Sequence, residues 1–128
     1  MSDCIFCKIA NCEIPTDMVY EDDLVAAFKD VNPLTPVHVL VVPKKHYANI
    51  VDNVPAEVLA AMAHAIDVVT KQYGLDKTGF RCITNTGDDA GQSVHHFHIH
   101  ILGGGHMPRP TDQDWGASAT NAHKFYQA

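Results

Sequence analysis

Apolar and polar positions alternate in several short segments of this chain and repeat with a longer period in one. Turn-forming residues bound the short segments, which are rich in β-branched and aromatic residues. The clearest is Val37–Val42, where His38, Leu40 and Val42 share one face of a strand that ends at Pro43. The pattern predicts five strands, at residues 18–21, 24–30, 37–42, 79–85 and in the histidine-rich segment that ends at Gly103.

Two segments have a helical pattern. Residues 4–10 form a short N-terminal turn, and residues 55–73 form the one long helix, with Pro55 in its first turn and Gly74 just past its end. Its apolar positions recur at steps of three and four, at Leu59, Met62, Ile66, Val69 and Tyr73. Because the strands follow one another too closely for repeated βαβ crossovers, we expect an α+β fold. It would be an antiparallel sheet of about five strands with one long helix and one short one.

Composition places the chain among ordinary globular domains. Its 128 residues are 46% hydrophobic, and residues 106–128 show no clear period, so we expect a domain over 1–107 and a C-terminal extension over 108–128. The net charge is −6 with no basic cluster beyond Lys44–Lys45, which argues against nucleic acid as a partner. Neither a signal-peptide pattern nor a long apolar run is present. We therefore expect a cytoplasmic protein with no membrane partner.

The candidate chemistry lies in the last predicted strand. His96, His98 and His100 alternate with Phe97 and Ile99, so their imidazoles share one face of an extended segment. The outer two are then ~13 Å apart, too far to share one ion with Zn–N bonds of about 2 Å. A half-exposed strand is the alternative for one such histidine, but three in a row indicate a site whose outer members differ in role from the middle one.

Two further patterns lie outside that row. Gly91, Gln92 and Ser93 offer hydrogen-bond donors that suit a phosphoryl or acyl oxygen, although an ordinary turn is the alternative. Cys4-x-x-Cys7 has the spacing of half a zinc site. A redox pair or two ordinary thiols are the alternatives for these cysteines.

The segment His96-Phe-His-Ile-His-Ile-Leu102 resembles the signature of the histidine-triad (HIT) superfamily of nucleotidyl hydrolases and transferases. The resemblance covers roughly residues 4–107 and is strongest to the branch that hydrolyses purine nucleoside phosphoramidates. The matching residues include Ile5-Phe6, Lys8-Ile9, Glu13-Ile-Pro15, Glu21-Asp-Asp23, Ala27-Phe28, Asp30, Pro36, His38, Pro43-Lys-Lys-His46, Asn85 and Gly91-Gln-Ser-Val94.

This resemblance implies a covalent mechanism. His98 would attack the α-phosphorus and form a nucleotidyl-histidine intermediate, which water then resolves. His100 would contact the phosphate or the leaving group, Ser93 would hydrogen-bond near the leaving atom, and His38 would orient the site. Asp30 would hold the ribose hydroxyls. The other implied nucleotide contacts are an apolar cleft of Ile5, Phe6, Ile9, Phe28 and Val31, and phosphate contacts from Asn85, Gly91, Gln92, Ser93 and Val94. For Ile9 and Phe28 a plain core role is the alternative.

Some HIT branches complete a cysteine pair with two histidines, here His46 and His96, to form a structural zinc site. Members usually form homodimers through the long helix and a neighbouring strand. Arg109 stands where the phosphoramidase branch often has a tryptophan from a partner subunit, and Trp115 follows later, so substrate preference is open beyond a purine nucleotide. The alternatives are a dinucleoside polyphosphate hydrolase and a non-catalytic nucleotide-binding regulatory module.

Overall fold

A computed structural model of the chain describes residues 4–107. The predicted extension at 108–128, with Arg109 and Trp115, lies outside the described residues. The elements in chain order are α1 (Ile5–Ala10), β1 (Met18–Glu21), β2 (Val25–Lys29), β3 (Val37–Pro43), α2 (Ala56–Gln72), α3 (Leu75–Thr78), β4 (Phe80–Ile83), a 3₁₀ turn (Asp88–Ala90) and β5 (Ile99–Gly103). The predicted α+β fold is confirmed.

The five described strands form one sheet in the order β1-β2-β3-β5-β4, and every neighbouring pair is antiparallel. The connection through α2 carries the chain from β3 across the sheet to its far edge at β4. β5 then returns between β3 and β4. This topology puts the histidine segment at the centre of the sheet, beside the strand that carries His38.

The two faces of the sheet are covered by different helices. The α2 face packs Val39, Val41, Phe97 and Ile101 against the buried residues of the long helix. The α1 face packs Phe6 and Ala10 against a second set from β2 and β3, namely Ala26, Phe28, Leu40 and Val42. Because side chains alternate along a strand, the residues between these positions on β3 and β5 face the α1 side, and His38 and His100 are among them.

The buried stripe of α2 differs from the prediction at its start. Val58, Met62, Ala65 and Val69 are buried, whereas Leu59 is 38% exposed. The stripe runs through Val58, and the next residue lies about 100° further round the helix, outside the stripe. Gly74 follows the helix with φ +72°, as predicted for its C′ position. In residues 4–107 no helix combines the length and apolar character that crossing a membrane requires.

The histidine segment was predicted as one strand, but the sheet pairing includes only its second half. His96 and His98 precede β5, because β3 ends at Pro43 and proline has no N–H to continue the ladder. Side chains take over the bonding there: the His96 Nε2–H donates to the Pro43 carbonyl (2.8 Å) and the His98 Nδ1–H to the His96 carbonyl (2.6 Å). The chain bends at His96, but the predicted alternation of faces is preserved, because Phe97 packs on the α2 side while the Phe6 ring of α1 contacts His96 and His98.

Candidate active site and metal centre

A cavity of about 380 Å³ opens on the α1 face of the sheet. Its lining includes the histidines His98 and His100 and six residues predicted to contact a nucleoside: Ile5, Phe6, Ile9, Phe28, Asp30 and Val31. The size falls in the range of small-ligand sites, and the walls are mainly apolar. The cavity, called the slot below, therefore suits a mainly apolar group, and the polar residues of its lining are His98, His100, Asp30, Lys29 and Thr16.

Five lining residues were not predicted: Ile14, Pro15, Thr16, Lys29 and Leu40. The position of Leu40 could have been predicted, because the sequence pattern puts it on the same face of β3 as His38. In the structure it pairs with His100 in the sheet register. Ile14, Pro15 and Thr16 belong to the connection between α1 and β1, where no periodic pattern points to a ligand. Their position depends on how that connection crosses the sheet.

His98 presents a lone pair to the cavity. A carbonyl oxygen only accepts, so the 2.6 Å contact between Nδ1 and the His96 carbonyl puts the His98 proton on Nδ1. Nε2 is then unprotonated, and it is buried without a hydrogen-bond partner. Burial lowers the His98 pKa, although the His96 carbonyl and Asp30 oppose this. The ring is therefore neutral at pH 7, with its nucleophilic nitrogen free.

His100 presents a proton instead, because a chain of hydrogen bonds fixes its tautomer. The Leu34 backbone N–H donates to His38 Nδ1 (3.1 Å), which leaves the His38 proton on Nε2. His38 Nε2–H in turn donates to His100 Nδ1 (2.8 Å), so a neutral His100 carries its own proton on Nε2. That N–H is buried and has no partner. Burial lowers the His100 pKa to about 3, which keeps the ring neutral.

The two imidazoles are thus complementary neighbours. Their ring centroids are 5.1 Å apart, and both Nε2 atoms belong to buried side chains at the same cavity. One offers an electron pair and the other a hydrogen-bond donor. Such a pair can attack an electrophilic centre and stabilise the negative charge that develops on an adjacent oxygen.

His38 does not line this cavity. It lies beside a smaller cavity of about 150 Å³ with Asp30, whose Oδ2 is 3.5 Å from His38 Nε2. Burial lowers the His38 pKa, and the Asp30 carboxylate opposes that shift. Because His38 meets the cavity only through His100, any effect of His38 on the cavity must pass through the position and tautomer of that ring.

The predicted phosphate contacts lie on the loop before the histidine segment, outside the lining of the 380 Å³ cavity. The Gln92 side chain is committed to the loop itself: its amide donates to the carbonyls of Ala48 (2.8 Å) and Val94 (3.2 Å) and accepts from Gly87 N–H (2.9 Å). Ser93 is exposed, Asn85 is buried, and Gly91 has φ +78°, which favours glycine. Gln92 therefore braces the loop that carries Ser93.

A second constellation joins the cysteine pair to two histidines. The donor atoms of Cys4, Cys7, His46 and His96 all lie within 4.8 Å of one another. Cys7 Sγ is 3.2 Å from His46 Nδ1 and 3.3 Å from His96 Nδ1, and Cys4 Sγ is 3.3 Å from His96 Nδ1. A tetrahedral Zn²⁺ with ordinary bond lengths separates sulfur and nitrogen ligands by roughly 3.5 Å, so the four donors fit that ion.

The orientation of His96 supports the same assignment. Its Nε2–H donates to the Pro43 carbonyl, so its Nδ1 lone pair faces the two sulfurs. Burial lowers the pKa of His96 to about 4, which keeps it neutral. Burial and then Cys4 raise the pKa of Cys7 to about 11, as expected for crowded thiols, whereas a bound cation deprotonates a coordinating thiol.

Asp30, His38 and His100 form another close group of metal-ligating types. Here the nitrogen atoms already bond to each other, and the Leu34 N–H occupies His38 Nδ1. A metal ion at His38 Nε2 would have to displace the proton of a neutral imidazole. This group is a hydrogen-bond relay, and of these two constellations only the cysteine-containing one presents free lone pairs to a common point.

Comparisons with known proteins agree with these features. A model of the HIT domain matches residues 11–107. Purine nucleoside phosphoramidase of Escherichia coli is 45% identical over 103 residues, covering 78% of this chain and 86% of that protein. The 14 kDa zinc-binding protein of Brassica juncea is 41% identical over 112 residues, 84% of this chain and 98% of that one. The solved structure of a histidine triad protein from Clostridium difficile has a TM-score of 0.80 and 51% identity, covering 85% and 96%. The chain therefore belongs to the HIT domain family.

Proposed function

We propose that this protein is a nucleotide hydrolase that cleaves purine nucleoside 5′-phosphoramidates, or related nucleotidyl P–X bonds, through a covalent intermediate on His98. The observation that carries the proposal is the pair of buried, unpartnered Nε2 atoms, a lone pair on His98 and an N–H on His100, at a nucleoside-sized slot. The name of the Escherichia coli relative, purine nucleoside phosphoramidase, supports this substrate class.

In the first step the His98 Nε2 lone pair attacks the α-phosphorus. The Nε2–P bond forms as the bond from phosphorus to the leaving group X breaks. In a phosphoramidate X is the nitrogen, which takes a proton from solvent and leaves as an amine. The ring then carries positive charge, which the His96 carbonyl stabilises through its bond to Nδ1–H. The His100 N–H donates to the phosphoryl oxygen or the leaving atom, where charge develops.

In the second step water attacks the same phosphorus and the Nε2–P bond breaks. The products are a nucleoside monophosphate and the free His98 lone pair, and the proton lost by water passes to solvent. The apolar slot would hold the base, Asp30 the ribose hydroxyls, and the loop that carries Ser93 the phosphate and leaving group.

The His38 relay can be tested by substitution. Leucine at this position removes the donor to His100 Nδ1, whereas glutamine can place an N–H near the position of Nε2. We expect His38→Leu to lower kcat about 10- to 100-fold with a smaller change in KM, and His38→Gln to recover most of kcat. Steady-state kinetics on both variants measures kcat and KM, and their Tm values show whether both are folded. Equal impairment in the two variants would contradict the relay.

A substrate panel separates this function from its rivals. We expect the purified protein to hydrolyse adenosine 5′-phosphoramidate with a higher kcat/KM than diadenosine polyphosphates. Faster turnover of the polyphosphates would favour a dinucleoside polyphosphate hydrolase. AMP binding without turnover of either substrate would refute the enzyme and favour a regulatory nucleotide-binding module.

We also propose that Cys4, Cys7, His46 and His96 hold a structural zinc ion. The donor set is that of a Cys₂His₂ site, with separations that suit tetrahedral coordination. All four ligand positions are filled by side chains, so the ion would stabilise the fold and leave the chemistry to His98. The name of the Brassica juncea relative, 14 kDa zinc-binding protein, supports a metal in this family. None of the four cysteines, all within residues 4–107, forms a disulfide, which agrees with a reducing compartment, and we propose the cytoplasm.

The chain is proposed to form a homodimer through α2 and the edge strand β4. Leu59 on α2 is 38% exposed and Phe80 on β4 is 41% exposed. Analytical ultracentrifugation is expected to give twice the 14.0 kDa chain mass. Leu59→Arg should shift the protein toward monomer, while Val51→Arg, an equally drastic change at an exposed loop position, should not. A wild-type monomer at micromolar concentration would be evidence against the assembly.

A further inference from the structure

Helix α1 takes part in two sites at once. Cys4 caps it and Cys7 lies within it, and both contribute sulfur atoms to the Cys/His centre. Ile5, Phe6 and Ile9, from the same helix, line the slot. The two sets of side chains alternate along one short segment, so a displacement of the segment from the centre also displaces that wall of the slot.

The hydrogen bonds within α1 are too few to keep it folded without tertiary contacts. It has six residues, and a helix of that length is not stable by itself in water. Its position therefore depends on tertiary contacts. These include the packing of Phe6 and Ala10 on β2 and β3, and hydrogen bonds from the Asn11 side chain to the carbonyls of Cys7 (2.8 Å) and Lys44 (3.1 Å).

The Cys/His centre connects this helix to the support of the nucleophile. His96 contributes one donor to the centre, and its carbonyl holds His98 Nδ1 at 2.6 Å. Phe6, between the two cysteines, stands edge-to-face against the His98 ring, with centroids 4.9 Å apart and planes at 90°. Its ring also packs edge-to-face against Phe28, with ring centroids 5.6 Å apart. Phe6 is only 9% exposed, so it cannot move away from His98 without repacking.

We propose that the Cys/His centre is a clamp on the nucleotide slot: metal binding fixes α1 against the sheet and so raises the affinity for nucleotide, with Phe6 as the positioning residue between the two sites. The inference rests on the proposed nucleotide-binding function and adds a regulation to it. Because coupling of binding free energies is reciprocal, nucleotide must raise the affinity for metal by the same factor. We expect a factor of about ten or more, within the usual range for coupled sites.

The test uses the full chain, AMP as the nucleotide and Zn²⁺ as the metal. Isothermal titration calorimetry gives the Kd of AMP for the zinc-loaded and the metal-free protein, and competition with a chromophoric chelator gives zinc affinity with and without AMP. The expected result is the same factor, about tenfold or more, in both experiments. Phe6→Leu should shrink this factor while still binding zinc. Val31→Ala, on the wall that α1 does not supply, should weaken AMP binding equally in both forms and leave the factor unchanged.

Hydrogen exchange supplies a readout that needs no nucleotide. Zinc removal should speed exchange in α1 and in the segments around His46 and His96, while the amides of β2, β3 and β5 keep their protection. Unchanged exchange in α1, or a uniform increase over the whole sheet, would overturn the clamp. Equal AMP affinity with and without zinc would overturn it as well and leave the proposed function standing. Failure of the zinc-loaded protein to bind AMP would refute both the proposed function and the gain in nucleotide affinity, which distinguishes that outcome from equal affinities.

Discussion

His98→Ala is expected to lower kcat for adenosine 5′-phosphoramidate by at least about 10⁴-fold, because the variant has no lone pair with which to form the intermediate. The substitution leaves in place the apolar side chains and the Asp30 carboxylate that are proposed to hold the nucleoside, so the variant should still bind AMP. Discontinuous assays of AMP formation measure turnover, and calorimetry measures AMP binding. Together they separate a loss of chemistry from a loss of affinity.

The neighbouring histidine provides the matched control. His95 adjoins the row, but its side chain is exposed, and Phe97 and Ile101 on the same side of the segment pack under α2. His95→Ala should therefore keep wild-type kcat and KM. If His98→Ala retained wild-type turnover, the assignment of the nucleophile would be wrong. If His98→Ala lost activity because it failed to fold, its Tm would be lowered and it would no longer bind AMP.

The second large effect is expected from Cys4→Ser. It removes one of four donors from the centre, and a metal ion that binds only the folded state contributes its binding free energy to stability. We expect zinc content to fall from about one ion per chain to a small fraction. We also expect the free energy of unfolding to drop by about 3 kcal/mol and Tm by roughly 10 °C.

Cys12→Ser is the control for that experiment. Cys12 is an exposed thiol just past α1, and its sulfur contacts Glu21 rather than the Cys/His centre. The control variant should keep both its zinc and its Tm. Metal-free wild-type protein after purification without chelator, or equal zinc content in Cys4→Ser, would contradict the site.

The strands and the long helix were predictable because their signals are local. Val37–Val42 is β-branched and ends at a proline, and α2 repeats apolar residues over 17 positions. The short helix α3 was missed because four residues carry no readable period. The strand boundary at His98 was misplaced because it depends on Pro43 of another strand and on imidazoles that bond to backbone carbonyls. Pro43 lies outside the segment, and residue types alone do not show that an imidazole bonds to a backbone carbonyl.

The site was partly predictable for the same reason. The alternation of side chains predicted that His96, His98 and His100 share one face. The predicted distance of ~13 Å between His96 and His100 agrees with the structure, where His96 belongs to the Cys/His group and His100 to the group with Asp30 and His38. The tautomers could not be predicted, since they depend on the Leu34 N–H, on His38 in β3 and on the Pro43 carbonyl. The resemblance to a family suggested which residues form the site, but only the hydrogen bonds in the structure show which nitrogen of each ring is protonated.

The proposed reaction is a double displacement at phosphorus, and its stereochemical course distinguishes it from a single displacement. A single diastereomer of adenosine 5′-phosphoramidothioate, hydrolysed in ¹⁸O-labelled water, gives a product whose configuration at phosphorus can be assigned. Attack by His98 followed by attack of water inverts the centre twice, so we expect overall retention, whether or not the intermediate accumulates. Overall inversion would mean that water attacks the substrate directly, and it would contradict a covalent nucleotidyl-His98.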